Sequence, residues 1–410
     1  MAHLLVIVML GCTPVLFTHQ VNLDTIKPIL KLESRANDDK RACYESASYV
    51  MDTLHKDYTP TRYLRINFHF MNSADSTQNF REDSGRIFVH KLVKVMQMLF
   101  DTNNKLWLPM GNDIPVIPVN IKYVLTGVYP KDEGIYFHYD DQRYYYIHQG
   151  SRRNNADYDV IEKYGVGLDS ILNVFILPHL KDSALSKTYQ SGCVGIALGN
   201  AVKIAGVYEK GFNEWNVRGT FNHEIGHVLG LNHAWTFDGC EDTPMHDNKC
   251  WVQESPGCQG KTSNNMMDYN AWQSALSPCQ VGTMHKNLSN TESAVRNLLI
   301  KTWCHYNPGK KITIKDSIIW SGARDLEGDI EILAGASLQI KCRVSMPQGS
   351  KITVHPGGKL VLDDCVIHND CGHTWKGIEV MQRGKLTGKV IKIGNPALTN
   401  LESIASVGSK

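Results

Sequence analysis

Neither sign of charge predominates in this sequence, and no apolar run is long enough to cross a membrane as a helix. Lysine and arginine number 43, and aspartate and glutamate number 41. The chain therefore lacks the large positive field that holds a nucleic-acid backbone or an anionic membrane surface. The apolar run at residues 4–10 is far shorter than the roughly 20 residues of a spanning helix. We expect a folded protein with no nucleic-acid partner.

The sequence also lacks any CxxC pair, although it contains 11 cysteines. Seven of them lie in two groups, within residues 240–279 and 342–371. A zinc site made of thiolates usually shows closely spaced cysteine pairs, whereas disulfides do not require them. Disulfide bonds formed in an oxidising compartment are therefore the better explanation of both groups.

The first residues indicate export from the cytoplasm. The apolar run at residues 4–10 has the length of a signal-peptide core, and Gly11 and Cys12 follow it directly. This junction resembles a lipoprotein signal, in which Cys12 is lipidated after cleavage; a plain secretory signal or a mis-assigned start are the alternatives. We assign residues 1–20 to the signal segment and the polar residues 21–60 to a pro-segment or N-terminal extension. The expected location is secreted or anchored to a bacterial-type envelope, extracellular or on the cell surface.

Residues 61–307 show the periodicities of an α+β domain. Alternating or continuous apolar residues predict strands, and apolar residues three or four apart predict helices. A capping pair, Ser289 and Glu292, predicts a further helix that reaches Trp303, and Asn307 to Lys310 then ends the domain. The predicted strands are 63–70, 119–126, 135–147, 171–177 and 194–198, and the other predicted helices are 85–100 and 216–230.

Residues 311–410 contain a 22-residue repeat of short β-rich segments. One such unit cannot bury its own apolar face, whereas stacked units can, which predicts an all-β, parallel β-solenoid-like domain without a catalytic role. An antiparallel sandwich is the alternative. Cys342 and Cys365 are 23 residues apart and are candidates for a disulfide between adjacent coils. Ile330, Ile332, Gly335, Leu338 and Ile340 match Ile352, Val354, Gly357, Leu360 and Leu362, and a third copy after a four-residue insertion contains Ile378, Val380, Gly384 and Leu386.

One segment, residues 223–233, carries the pattern of a metal site. On a helix, His223 and His227 lie one turn apart, about 6 Å along the axis, so both imidazoles can reach one ion. Glu224 lies beside them, and Gly230 permits a sharp exit from the helix that returns His233 as a third ligand. Three neutral nitrogens leave zinc one open position for water. A helix that merely buried these side chains would leave them without partners, which is costly.

The spacing HExxHxxGxxH resembles the signature of the metzincin zinc endopeptidases. Residues 264–269 (Asn-Asn-Met-Met-Asp-Tyr) and 239–244 (Gly-Cys-Glu-Asp-Thr-Pro) resemble the pappalysin, or cytophagalysin-like, branch of that group. The resemblance implies a metzincin-type catalytic domain, with a mixed twisted sheet and an active-site helix. It also implies that Met267 is the Met-turn methionine under the metal, and that Tyr269 can approach the metal or the oxyanion.

The function that follows is an exported zinc-dependent endopeptidase acting on protein or peptide substrates. Glu224 is expected to act as general base on a zinc-activated water. The resemblance also implies that the strand at 194–198 is the edge strand that pairs with the substrate backbone, and an ordinary core strand is the alternative. Two alternatives stay open: a surface binding or adhesion protein with an inactive metzincin domain, or a metzincin of another branch, astacin-like or matrixin-like. A calcium requirement cannot be read from the sequence.

Two further expectations concern cysteines. The resemblance to pappalysins implies disulfides Cys240–Cys258 and Cys250–Cys279, which would brace the segment between the zinc motif and the Met-turn. Cys43, in the polar extension, is a candidate latency switch that occupies the open zinc position as a thiolate until the segment is removed. The alternative is that Cys43 pairs with Cys193 or Cys304.

Overall fold

The computed structural model describes residues 16–29, 43–180 and 192–403, and the chain divides into two compact units. The central unit consists of residues 44–301, and the repeat unit combines residues 1–43 with 302–410. The first strand, β1 (Leu16–Gln20), belongs to the repeat unit. Cys12 and the rest of the proposed signal segment before Leu16 lie outside the described residues. Within the described ranges, no helix has both the length and the apolar character needed to cross a membrane.

The central unit is built on one mixed sheet. Its strands are β2 (Arg62–Asn72), β3 (Ile121–Leu125), β4 (Ile135–Tyr139), β5 (Leu172–Leu177), β6 (Val194–Leu198) and β7 (Ala201–Ala205). The order is β3-β2-β5-β7-β6, and β4 also pairs with β2. All pairs are parallel except β6 with β7. Because β6 lies at the end of this order, its outer side borders the site described below.

The long strand β2 and two helices form the core of the central unit. Leu64, Ile66, Phe68 and Phe70 alternate along β2 and are fully buried, as expected for one face of a strand. Phe221, in the helix Glu214–Val228, packs against Phe68, with ring centroids 6.3 Å apart. The helices are α1 (Glu82–Thr102), α2 (Asp159–Tyr164), α3 (Glu214–Val228) and α4 (Pro278–Ser289). The first of them buries a stripe three or four residues apart that contains Phe88, Val89, Leu92, Met96 and Leu99.

Most strands and helices predicted for this unit are confirmed within a few residues, but the strand expected at 135–147 is wrong in length. It ends at Tyr139. The carboxylate of Asp140 accepts hydrogen bonds from the backbone N–H groups of Gln142 and Arg143, at 2.8 and 3.0 Å. These local bonds turn the chain, so the aromatic run that follows cannot continue the strand.

The helix expected from Ser289 to Trp303 is also wrong. The helix in this region is α4, which begins earlier, with Pro278 at its first position and a capping box formed by Ser277 and Gln280. It ends at Ser289 and is followed by a short 3-10 turn at Ala294–Leu298. Ile300 then donates its N–H to the carbonyl oxygen of Tyr63 in β2, at 2.8 Å. Pairing with the sheet therefore replaces the helical conformation that the apolar spacing suggested.

The repeat unit contains three sheets of short strands. In chain order they are β8 (Ile312–Ile314), β9 (Ser317–Trp320), β10 (Arg324–Asp325), β11 (Ile330–Ile332), β12 (Ser337–Ile340), β13 (Val344–Ser345), β14 (Ile352–Val354), β15 (Lys359–Asp363), β16 (Val366–His368), β17 (Ile378–Arg383), β18 (Leu386–Thr387), β19 (Lys389–Ile393) and β20 (Ala397–Leu398). The sheet orders are β1-β17-β14-β11-β8, β19-β15-β12-β9 and β10-β13-β16-β20, with β18 also paired to β17.

The pairing registers in these sheets follow the repeat read from the sequence. Ile330 pairs with Ile352, and Ile352 pairs with Ile378, so the four-residue insertion is absorbed between equivalent strands. Successive strands of the repeat run parallel, which rejects the antiparallel sandwich. Leu338 and Leu360, which are register partners in neighbouring parallel strands, are both fully buried.

Described residues before the central unit take part in the repeat unit, including residues 16–20 of the expected signal segment. Strand β1 pairs antiparallel with β17, and Ile29 forms a parallel bridge with Ile393 in β19. Cys43 is joined to Cys342 by a disulfide, with Cα atoms 5.7 Å apart. The predictions of a Cys43 latency switch and of a Cys342–Cys365 disulfide are therefore wrong. Cys43 has no thiolate to offer a metal, and Cys342 has a different partner.

Candidate active site

Helix α3 and the turn that follows it position three histidines. The side chain of Asn213 caps the first turn of the helix. At the other end, Gly230 adopts φ 93°, a left-handed conformation that glycine tolerates and most residues do not. Leu231 then donates its N–H back to the carbonyl oxygen of Gly226, at 2.9 Å. This closed turn reverses the chain and brings His233 back towards the helix.

The three imidazoles converge at one point. Nε2 of His227 lies 3.1 Å from Nε2 of His223 and 3.1 Å from Nε2 of His233. Nδ1 of His223 donates to the carbonyl oxygen of Met266, and Nδ1 of His227 donates to that of Leu231, both at 2.8 Å. Each of these two rings therefore carries its proton on Nδ1 and directs an Nε2 lone pair at the common point. Lone pairs at this distance repel one another, so the donor set fits a cation.

The surroundings keep these histidines neutral, as metal ligands must be. Burial lowers the pKa of His223 to about 3, and the neighbouring His227 lowers it further in the same direction. Burial likewise lowers the pKa of His233 to about 4. Burial also lowers the pKa of His227. At neutral pH all three rings are free of a second proton, and together they could hold a metal ion.

Glu224 lies next to the histidines and directly beneath the edge strand β6. Its side chain is buried against Gly195, where a Cβ atom would lie 2.8 Å from the Glu224 Cδ. Burial raises the pKa of Glu224 to about 8, and a hydrogen bond with the backbone of Ala197 opposes that rise. A cation held by the histidines would stabilise the carboxylate and lower this pKa. The glutamate is therefore placed to hold and release a proton beside the metal position.

Met267 and Tyr269 lie on the turn that passes next to α3. Met267 is fully buried, and its Sδ occupies the space beside Gly226, where a Cβ would collide with it. The Tyr269 ring lies 5.2 Å from the His233 ring and 5.8 Å from that of His223, between ring centroids. Burial and the nearby Glu224 raise the pKa of Tyr269, so its hydroxyl is protonated at neutral pH.

Three residues that hold this turn, Asp268, His246 and Gln273, were not identified from the sequence as site residues. Asp268 is buried and accepts a hydrogen bond from Nε2 of His246 at 2.5 Å and another from the backbone N–H of Tyr269 at 2.7 Å. Asp268 raises the pKa of His246 through this bond. No spacing in the sequence signals His246, because its partner is 22 residues away. Gln273 donates to the carbonyl oxygen of Asp268 at 2.9 Å and fixes the turn from the other side.

The disulfides in this region are Cys240–Cys279 and Cys250–Cys258. The crossed pairing implied by the resemblance to pappalysins is therefore wrong, although all four cysteines are bonded. Cys279 is the second residue of α4, and its N–H donates to the carboxylate of Asp242 at 2.9 Å, which brings it next to Cys240. Cys250 and Cys258 close a small loop between themselves.

Removing these two disulfides should cost different amounts of stability. Loop closure gives about 4 kcal/mol for Cys240–Cys279 and about 2.5 kcal/mol for Cys250–Cys258 in the chain-entropy relation, since the sequence separations are 39 and 8. Urea unfolding of Cys240→Ser/Cys279→Ser and Cys250→Ser/Cys258→Ser proteins would measure both changes in the free energy of unfolding. An equal or reversed order, or a Cys240–Cys258 peptide in a non-reducing map, would contradict the assigned pairing.

Comparison with known proteins agrees with the character of this site. Residues 190–294 match the sequence model of the family described as metallo-peptidase family M12B, reprolysin-like. This segment contains the three histidines, Glu224 and the turn at Met267. No curated protein matches the chain. The site and the matched segment together support a metalloprotease.

Several solved structures resemble the chain weakly. A mirolysin in complex with a compound is 17% identical, with a TM-score of 0.40, and the match covers 59% of this chain and 97% of that one. Mature mirolysin of Tannerella forsythia with a cleaved peptide is 18% identical, with a TM-score of 0.39 and the same coverage. A promirolysin mutant of Tannerella forsythia is 16% identical, with a TM-score of 0.39, over 65% of this chain and 89% of that one.

Proposed function

We propose that this protein is an exported zinc-dependent endopeptidase. The observation that carries the proposal is the convergence of three neutral imidazoles, with Nε2 of His227 3.1 Å from Nε2 of His223 and of His233 and with Glu224 buried beside them. Three nitrogen ligands are typical of catalytic zinc, because they leave a position open for water or substrate. His223, His227 and His233 would hold the ion, and its chemistry when bound is to acidify a water molecule and to polarise a carbonyl group.

The residues of the chain account for the remaining steps of peptide-bond hydrolysis. A carboxylate oxygen of Glu224 takes a proton from the attacking water, whose oxygen bonds to the carbonyl carbon. Glu224 then returns that proton to the amide nitrogen as the carbon–nitrogen bond breaks, so one water is consumed for each bond. The Tyr269 hydroxyl, protonated at neutral pH, is placed to donate a hydrogen bond to the oxyanion.

The edge strand β6 is proposed to hold the substrate backbone. Among the described strands, it pairs only with β7, on one side. A cleft runs along β6, bounded by Ile196, Asn200 and residues 293–295. It opens onto Glu224, His227 and His233. An extended peptide can add to such an edge through main-chain hydrogen bonds. This placement would bring a peptide carbonyl next to the metal position.

We further propose the finer assignments suggested by the sequence. They are a metzincin of the pappalysin branch at residues 61–307, supported by the motifs at 239–244 and 264–269, and a β-solenoid at residues 311–410, supported by the parallel repeat registers. Four disulfides are consistent with an extracellular location. Attachment to a cell surface or envelope through Cys12 belongs to the same proposal.

The test of this function is zinc content together with proteolysis. We expect one zinc per chain by elemental analysis, and cleavage of denatured casein that falls at least tenfold in 1,10-phenanthroline and returns with added zinc. Mass spectrometry of the products should show internal cleavage sites. A zinc-loaded protein that leaves denatured casein intact would refute the enzyme and favour the binding-protein alternative.

A further inference from the structure

A second cavity of the central unit lies beside the site and is lined by tryptophans. Trp215, Trp251 and Trp272 all border it, and each exposes more than half of its surface, at 53, 57 and 53%. Large apolar side chains that line one concavity are uncommon unless something binds there. We call this cavity the aromatic pocket; its remaining walls include Arg218, Gln273 and Cys193.

The walls of the aromatic pocket are held in place by the elements that build the site. Trp215 lies in the first turn of α3, upstream of His223. Trp251 follows Cys250 of a disulfide-closed loop, and its carbonyl oxygen accepts a hydrogen bond from the N–H of Ala271 at 3.0 Å. The backbone N–H of Trp272 donates a hydrogen bond to the side-chain oxygen of Asn270 at 2.7 Å. These contacts fix the backbone positions from which the three tryptophan rings extend.

The aromatic pocket adjoins the reacting position. Gln273 forms part of its wall, and its side-chain nitrogen lies 3.2 Å from Nδ1 of His223. Cys193, another wall residue, directly precedes β6. The cleft described above borders β6 from Gly195 onward. A peptide lying along β6 would therefore place a side chain beside its scissile bond in this pocket.

The charge of the residues that line the aromatic pocket determines which substrate side chain can bind there. Of the described residues that line the pocket, Arg218 alone carries a charge at neutral pH, and its guanidinium lies 3.7 Å from the centre of the Trp215 ring. Burial raises the pKa of the Cys193 thiol to about 12, so it stays neutral. None of the described lining residues is a carboxylate that could pair with a lysine or arginine, and Arg218 would repel either one.

We propose that the aromatic pocket selects an aromatic substrate side chain next to the scissile bond. The proposal rests on the proposed peptidase function, and it adds the specificity and the residues that set it. An aromatic ring can stack or pack edge-on against Trp251 and Trp272 and loses little conformational entropy on binding. Cleavage of a mixed peptide library should therefore show aromatic residues enriched at one position flanking the cleaved bond.

The decisive experiment compares two peptides that differ only at the enriched position, phenylalanine against alanine. Trp251→Ala and Trp272→Ala should each lower kcat/KM for the phenylalanine peptide about tenfold and change that for the alanine peptide less than about twofold. Tyr129→Ala is the control, because this aromatic residue is 75% exposed and lies outside the pocket. Equal losses on both peptides, or no aromatic enrichment in the library, would overturn the proposal.

A second variant tests the charge argument without removing a tryptophan. Ala271 is an exposed wall residue, and Ala271→Asp should raise kcat/KM for a peptide with arginine at the same position about tenfold. If the folded Ala271→Asp protein shows an unchanged kcat/KM for the arginine peptide, the proposal that this pocket binds the substrate side chain is contradicted.

Binding separates this proposal from the peptidase function. Tryptophan fluorescence of Glu224→Gln protein should change on titration with the phenylalanine peptide at a concentration at least tenfold lower than with the alanine peptide. Trp251→Phe in that background should reduce the signal. If the wild-type protein cleaves no substrate but the phenylalanine peptide still binds more tightly than the alanine peptide, the peptidase function is refuted. The proposed selectivity of the aromatic pocket is then still supported. If both peptides bind alike, the pocket fails, whatever the activity.

Discussion

Glu224→Gln should lower kcat on denatured casein about a thousandfold while leaving the zinc content at one per chain. The amide has nearly the shape of the carboxylate, so the packing beneath β6 is kept. It cannot, however, accept the proton of the attacking water. The three imidazoles are untouched, because Nδ1 of His223 and of His227 is held by the carbonyl oxygens of Met266 and Leu231.

The matched control is Glu214→Gln, the same chemical change at the first residue of the same helix. Glu214 forms an ion pair with Lys91 at 3.9 Å, and it lies about three helical turns upstream of Glu224. We expect activity within about twofold of the wild type, since a long ion pair with an exposed lysine partner contributes little. Equal activities of the Glu224→Gln and wild-type proteins would show that another group acts as the base.

Gly195→Ala should lower kcat about a hundredfold, again with zinc retained. An added Cβ would collide with Cγ of Glu224 and lie 2.8 Å from its Cδ and 2.7 Å from Cδ1 of Ile204. Ile204 is fully buried in β7, so the glutamate side chain is the group that must move. A displacement of about 1 Å at a catalytic group can cost about a hundredfold in rate.

The control for this change is Gly192→Ala, three residues earlier in the same segment, where an added Cβ would meet no atom of the described residues within 4 Å. Measurements are kcat on casein, zinc content and thermal unfolding. We expect the Gly192→Ala protein to keep the casein activity of the wild type. A fully active Gly195→Ala protein would show that Glu224 does not need its position beneath β6.

Local patterns in the sequence were sufficient to predict those elements whose conformation depends on residues close together along the chain. The helix carrying His223 and His227, the left-handed turn at Gly230 and the strand Val194–Leu198 follow from spacing, glycine conformation and apolar runs. The repeat registers of the C-terminal region were also predicted, because equivalent residues recur at fixed intervals.

Predictions that depended on distant partners failed for one physical reason. Whether two cysteines pair depends on where separate segments pack, and spacing does not contain that information. For this reason the disulfide partner of Cys43, which is Cys342, and that of Cys240, which is Cys279, could not be predicted from spacing. Residues 16–20, expected to belong to the signal segment, also joined the repeat unit as β1, because a strand edge at β17 can accept an extended segment that reaches it.

The sequence by itself determined the grouping of His223, His227 and His233 with Glu224 and the period of the repeat, because each depends on residues close together along the chain. Only the tertiary structure decided the disulfide partners, the His246–Asp268 bond that holds the Met267 turn, and the aromatic pocket. Trp215, Trp251 and Trp272 come from separate segments, and no local pattern links them. Their meeting depends on how α3, the Cys250–Cys258 loop and the Met267 turn pack together.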